Sequence, residues 1–189
     1  MPLSEFARAA INTTAAQDGW LIGEGVDPAW LYGRMARYGT TKAKLHDNGT
    51  WEPDPNGVGV IVVPEIPVLG SGGILSFERG NLIACGPRQP GRMFRRDDTP
   101  CSMINPDAPD YARHFDIPLH VFSDPIRYLV GKQMGCVIVD WDEISAFALT
   151  GPSQIICDTL EIAEQIDRLF KAARAPEIHI QQNEVQGAA

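Results

Sequence analysis

The spacing of apolar residues changes along this chain, and each change marks a different kind of element. Up to about residue 39 they recur at helical intervals. Ser4 is placed to cap a helix running to about Ala16, with Phe6, Ala9, Ala10 and Ile11 on its apolar face. In "GVDPAWLYGRMARYG" Asp27 is the expected cap and Pro28 fits the first turn. Trp30, Leu31, Met35 and Tyr38 supply its inner side, and Gly39 stops it. The stretch "HDNGTWEPDPNG" is dense in turn formers and reads as a loop.

From Gly57 the period falls to that of strands. "GVGVIVVPEI", "GGILSFE" and "GNLIACG" predict three short strands joined by glycine-rich turns, an antiparallel meander. Residues 87–110, "PRQPGRMFRRDDTPCSMINPDAPD", hold five prolines and four arginines, and this composition predicts an extended surface loop.

The last third alternates. "PLHVF", "GCVIVDW", "GPSQIICD" and "PEIHIQ" have strand character. Between them, "SDPIRYLVGKQM", "DEISAFAL" and "TLEIAEQIDRLFKAARA" have helical character. Strands and helices joined by short connections predict βα units around a mainly parallel sheet. The run from Cys136 to Val139 is apolar throughout, as a strand covered on both faces should be. The fold class expected is therefore α/β (α+β overall): N-terminal helices and an antiparallel meander with the Arg/Pro-rich loop over 1–116, then a mainly parallel βα part over 117–189.

Composition narrows the function classes. The 189 residues carry a formal net charge of −8, so nucleic acid is repelled on average and any contact with it needs a local basic patch. No apolar run approaches the ~18 residues of a membrane span. The N-terminus also lacks a basic start followed by an apolar stretch, so no signal peptide is expected. Cys85, Cys101, Cys136 and Cys157 form no CxxC pair, and a reduced cytoplasmic protein with no membrane contact is the natural expectation.

Candidate chemistry gathers at two places. Ligands of open α/β sheets bind where the strands' carboxyl ends meet, and that edge is acidic here. Asp124 follows the first predicted strand, Asp140 and Asp142 the second, and Asp158 the third. Carboxylates converging there would suit a hard cation such as Mg²⁺, completed by water and substrate phosphate. The same residue types also cap helices: Asp124 precedes Pro125, Asp142 opens "DEISAF", and Asp158 with Glu161 has the spacing of a reciprocal capping box. The second place is the basic loop. Arg88, Arg92, Arg95 and Arg96 concentrate positive charge, and Phe94 among them offers a surface on which a base can stack; Asp97 and Asp98 follow as potential partners. No HExxH, P-loop, GxGxxG or GxSxG occurs, "GSGG" at Gly70–Gly73 reads as a hairpin turn, and no zinc-ligand spacing is present.

The order of elements in "LHVFSDPIRYLVGKQMGCVIVDW", "QIICDTLEIAEQIDRLF" and "EIHI" resembles the Toprim domain of primases and topoisomerases. The strands and Arg-rich loop before it resemble the β-rich segment preceding such cores in mobile-element primases. That family carries a general acid/base glutamate after its first strand, where this chain has Ser123 followed by Asp124. The family's metal-binding Asp-x-Asp falls on Asp158-Thr159-Leu160, so only Asp158 carries over, with Asp140 as a substitute at the neighbouring strand end. Phosphoryl transfer rests on metal positioning, so the resemblance implies a copy that keeps the fold without the chemistry. The expected function is thus a non-catalytic Toprim-like accessory protein of a phage or plasmid, contacting DNA, RNA or a replication partner. The alternatives are a purely protein-binding, structural or inhibitory role, and a Mg-dependent nuclease or nucleotidyl enzyme using Asp124, Asp140 and Asp158.

Overall fold

The computed structural model describes residues 2–32, 36–67, 80–97 and 99–173. The strands expected in "GGILSFE" and "PEIHIQ" and the middle of the helix expected after Asp27 lie outside the described residues.

Local caps fix where the helices begin. α1 (Pro2–Ile11) and α2 (Ala15–Gly23) replace the single helix predicted to Ala16. The break is written in the sequence Thr14-Ala-Ala-Gln17. Thr14 N donates to Gln17 Oε1 at 2.8 Å and Gln17 N to Thr14 Oγ1 at 3.4 Å, a reciprocal cap that starts a new helix. In α3 (Pro28–Leu31) Asp27 Oδ1 accepts from Ala29 N at 2.9 Å, but the helix closes at Tyr32, much sooner than the apolar spacing predicts. The carboxylate of Asp27 also meets Lys132 Nζ at 2.7 Å, which lowers its pKa below the ordinary value.

Two sheets follow. The first runs β2-β1-β3-β4-β5 and is antiparallel throughout: β1 (Gly39–Leu45), β2 (Trp51–Pro53), β3 (Val58–Pro64), β4 (Leu82–Gly86) and β5 (Gln89–Arg95). The second runs β6-β8-β7-β9, from β6 (Met103–Ile104), β7 (Leu119–Phe122), β8 (Cys136–Ile138) and β9 (Ile155–Cys157). Here β7 is parallel to both β8 and β9, and only the edge strand β6 is antiparallel. Helices α4 (Ala108–Phe115), α5 (Pro125–Val130) and α6 (Leu160–Ala172), with a 3₁₀ turn at Ala146–Leu149, complete the described chain. The fold is α/β, built from helices, an antiparallel sheet and a mixed sheet. The 116/117 division passes between α4 and β7, and the second sheet draws β6 from the residues before it.

Both sheets are packed on both faces, and β3, β4 and β8 are accordingly apolar at consecutive positions and still sort by period two. On β3 and β4, Val60, Val62, Leu82 and Ala84 pack with Phe6 of α1 and with Trp51. Ile61, Val63, Ile83 and Cys85 point the other way, into a layer with Leu21, Leu31, Ile126, Leu129 and Val137. On the far side of the second sheet, Leu119, Val121, Cys136 and Ile138 pack with Ala112 of α4, Leu149 and Ile166 of α6. The order of layers is α1, first sheet, helices α2, α3 and α5, second sheet, then α4 and α6.

The Arg/Pro-rich segment corrects the sequence reading. It forms β5, β6 and the start of α4, and it buries Phe94, Cys101, Met103 and Ile104. Pro90 is tolerated because β5 is an edge strand and the β4–β5 register shifts beside it, so that no residue of β4 stands opposite Pro90. The turn-rich stretch after Leu45 likewise contains β2, whose Trp51 is buried and donates its indole N–H to Leu82 O at 3.0 Å.

α1 lies hard against β1. A Cβ on Gly39 would sit 2.6 Å from Ala9 Cβ and 2.7 Å from the Ala9 carbonyl carbon, whereas one on Gly59 would meet nothing within 4 Å. Gly39→Ala is therefore expected to cost about 1–3 kcal/mol through forced separation of helix and strand. The matched Gly59→Ala should stay within about 0.5 kcal/mol of the parent. Urea denaturation midpoints read both, and equal shifts would contradict this docking.

Candidate functional site

In the second sheet the chain runs from the central β7 to β8 on one side, then to β9 on the other. The point where this order reverses lies between the carboxyl ends of β7 and β9, the usual ligand crevice of open α/β sheets. Ser123 and Asp124 follow β7 there, and Asp158 follows β9. Asp158 N continues the ladder to Val121 O at 3.3 Å, which holds the two strand ends side by side.

Ser123 joins the two acids. Its Oγ donates to Asp158 Oδ2 at 2.8 Å and stands 3.2 Å from Asp124 Oδ2. Its backbone N–H donates to the same Asp158 oxygen at 3.0 Å. The other Asp124 oxygen accepts from Ile126 N and Arg127 N at 2.8 and 2.9 Å and so caps α5, as its position before Pro125 predicts.

Asp158 does not cap α6. Thr159 does, accepting from Ile162 N at 3.3 Å, and the box expected with Glu161 is not formed. Adjacent Asp and Thr are both good caps, and the approach of β7 decides between them by giving Asp158 a different set of donors. Nor does Asp142 cap the segment after β8. Asp140 Oδ1 accepts from Asp142 N at 3.0 Å and from Glu143 N at 3.3 Å, while Ser145 caps the 3₁₀ turn.

Of the three candidate metal ligands, the structure brings Asp124 and Asp158 to one point and leaves Asp140 elsewhere. Asp140 Oδ2 lies 3.7 Å from Arg95 Nη1, an ion pair across the two sheets. Among the described residues, no three His, Cys, Asp or Glu side chains gather closely enough to hold a metal ion. What remains at the crevice is a pair of carboxylates bound to one hydroxyl, an arrangement able to give a hard cation two carboxylates but not three.

The arginines divide in two. Arg95 reaches Glu143 Oε2 at 3.3 Å as well as Asp140, and Arg96 Nε binds Glu5 Oε1 at 2.8 Å with its guanidinium over Trp51. Both fasten one part of the molecule to another. Phe94 is 4% exposed and belongs to the core, so its ring is no platform for a base; Arg92 covers it, 5.1 Å from its centroid. Arg88 and Arg92 are exposed, and neither has an acidic partner among the described residues.

The cysteines are poor nucleophiles. Burial pushes the thiols of Cys85 and Cys136 up to about 12 and raises those of Cys101 and Cys157 as well. No helix among the described residues is long and apolar enough to cross a membrane. No protein-family model, characterised protein or solved structure matches the chain.

Sequence reasoning identified the crevice and two of its acids but not Ser123, which links them. Its signal was its place directly after a strand, next to a capping aspartate. Asp124→Ala removes two bonds at the start of α5 and is expected to cost about 1–2 kcal/mol, with Asp124→Asn retaining most of that. Ser123→Ala, which keeps the backbone bond to Asp158, should cost about 1 kcal/mol or less. Chemical denaturation orders the three, and Ser123→Ala as the most damaging would contradict this assignment of roles.

Proposed function

We propose that this chain is a Toprim-like accessory protein that acts by contacting nucleic acid or a replication partner, with its strand-end carboxylates committed to holding the fold. The observation that carries this reading is the clasp at the crevice. Where the resemblance places a general acid/base glutamate, Ser123 instead donates to Asp158, the one metal-binding position that carries over. Asp124 is engaged by the N-terminus of α5, and the second aspartate of the family pair is replaced by an exposed Leu160.

Support for nucleic-acid contact comes from Arg88 and Arg92, on and beside the edge strand β5. The other two arginines of the basic stretch are occupied by acids. Fluorescence anisotropy with single- and double-stranded oligonucleotides at several salt concentrations tests this. Binding should weaken with salt, and replacing Arg88 and Arg92 together should lower the log–log slope by roughly 1.4–1.8. Replacement of Arg95 should instead lower stability. Binding that is absent, or unchanged in the double variant, defeats the nucleic-acid reading.

One observation favours a second reading. Asp124 and Asp158 each have an oxygen within reach of the Ser123 hydroxyl, so a Mg²⁺-dependent site needs only a modest rearrangement. A cation binding the native state should raise stability by ~2.7 kcal/mol at a hundred times its dissociation constant. Thermal denaturation with Mg²⁺ or Mn²⁺ should then show a rise that Asp158→Asn abolishes. No rise at millimolar metal removes this reading.

A further inference from the structure

The inner face of the first sheet is roofed by helices over most of its area but is bare at one end. There Gly59 stands directly opposite Lys42 in the β1–β3 register. Gly59 carries no side chain, and the space above it is empty to at least 4 Å. The outcome is a cavity of about 680 Å³, floored by Gly59 and Ile61, walled by Trp20 and Tyr38, with Lys42 and Arg88 among its lining. That volume suits a small organic molecule.

The lining is chemically one-sided. No acid contributes to it among the described residues, although the chain carries a net charge of −8. Asp18, beside it in α2, accepts the hydroxyl of Tyr38, so its carboxylate is engaged. Four donor groups lack this kind of compensation. Lys42 and Arg88 have no acidic partner among the described residues, and the indole N–H of Trp20 has no hydrogen bond to any of them. Gln17 is held through its carbonyl oxygen, which accepts from Thr14 and Thr40, and this leaves its amide N–H groups unused. An apolar floor ringed by spare donors and cations complements an apolar body with an anionic head.

We propose that this cavity binds a small amphipathic organic anion, its aromatic or apolar body lying on Gly59 and Ile61 beside Trp20 and its carboxylate, sulfonate or phosphate met by Lys42 and Arg88. The site is separate from the crevice at Ser123. It shares only Arg88 with the proposed nucleic-acid surface, so its test leaves Arg88 intact.

The full chain is titrated with anilinonaphthalene sulfonate and, in parallel, with uncharged N-phenylnaphthylamine, while near-ultraviolet circular dichroism reports the native fold. Saturable one-to-one binding is expected, tighter for the sulfonate. Gly59→Phe, whose ring would occupy the empty space, should abolish binding of both probes. Lys42→Ala should weaken the sulfonate about fivefold and leave the uncharged probe unchanged. Because Lys42 is exposed, that variant carries the test even if Gly59→Phe does not fold. Unsaturable binding, binding that survives a folded Gly59→Phe, or equal affinity for the two probes with no effect of Lys42→Ala would overturn the proposal.

Discussion

Ile61, Val63, Ile83 and Cys85 of the antiparallel sheet and Ile104 and Val137 of the mixed sheet all press into one apolar layer, shared with α5. α5 is six residues long, and Ile126, Tyr128 and Leu129 are buried on it. A helix this short does not hold itself together by propensity, so its existence depends on that burial and on its cap. Asp124 supplies the cap. A residue at the crevice is therefore also the cap of the helix that packs between the sheets, which is why its carboxylate reads as structure before it reads as chemistry.

Polar ties reinforce the layer at its margins. Arg95 runs from the edge of the first sheet to Asp140 and Glu143 beyond β8. Asn81, 5% exposed, accepts from Leu82 N and Arg96 N and donates to Asp97 and to Thr99 O, binding β4 to the strand end after β5. A buried amide with its groups satisfied this way specifies one arrangement of the segment. Two of the four arginines that looked available for an external partner, Arg95 and Arg96, are spent on internal joints.

Much of the α/β alternation after Ile117 was legible because caps, prolines and apolar runs there agree with the final fold. The parts that were not legible fail for identifiable reasons. β1 reads as polar, since Lys42 and Lys44 alternate with Thr41 and Ala43, and only burial beneath α1 makes it a central strand. β5 is disguised by Pro90 and Gly91, which an edge position accepts. At the crevice, sequence located Asp124 and Asp158 from strand ends alone. Whether Asp158 or Thr159 caps α6, and whether Asp140 joins them, depends on which strands become neighbours, and no local pattern encodes that. The cavity over Gly59 was invisible for the same reason, because it exists only where a missing side chain on one strand meets a lysine on another.

The ion pair between Glu5 and Arg96 joins residues 91 positions apart. Read as a loop to be closed, it contains all five strands of the first sheet, and closure of so long a loop is worthwhile only after the intervening strands have paired. α1, which precedes these strands in the chain, must then wait for β5 before it acquires this anchor. A segment that comes before the strands is locked only after them, and the sheet is assembled with the face that α1 covers still open.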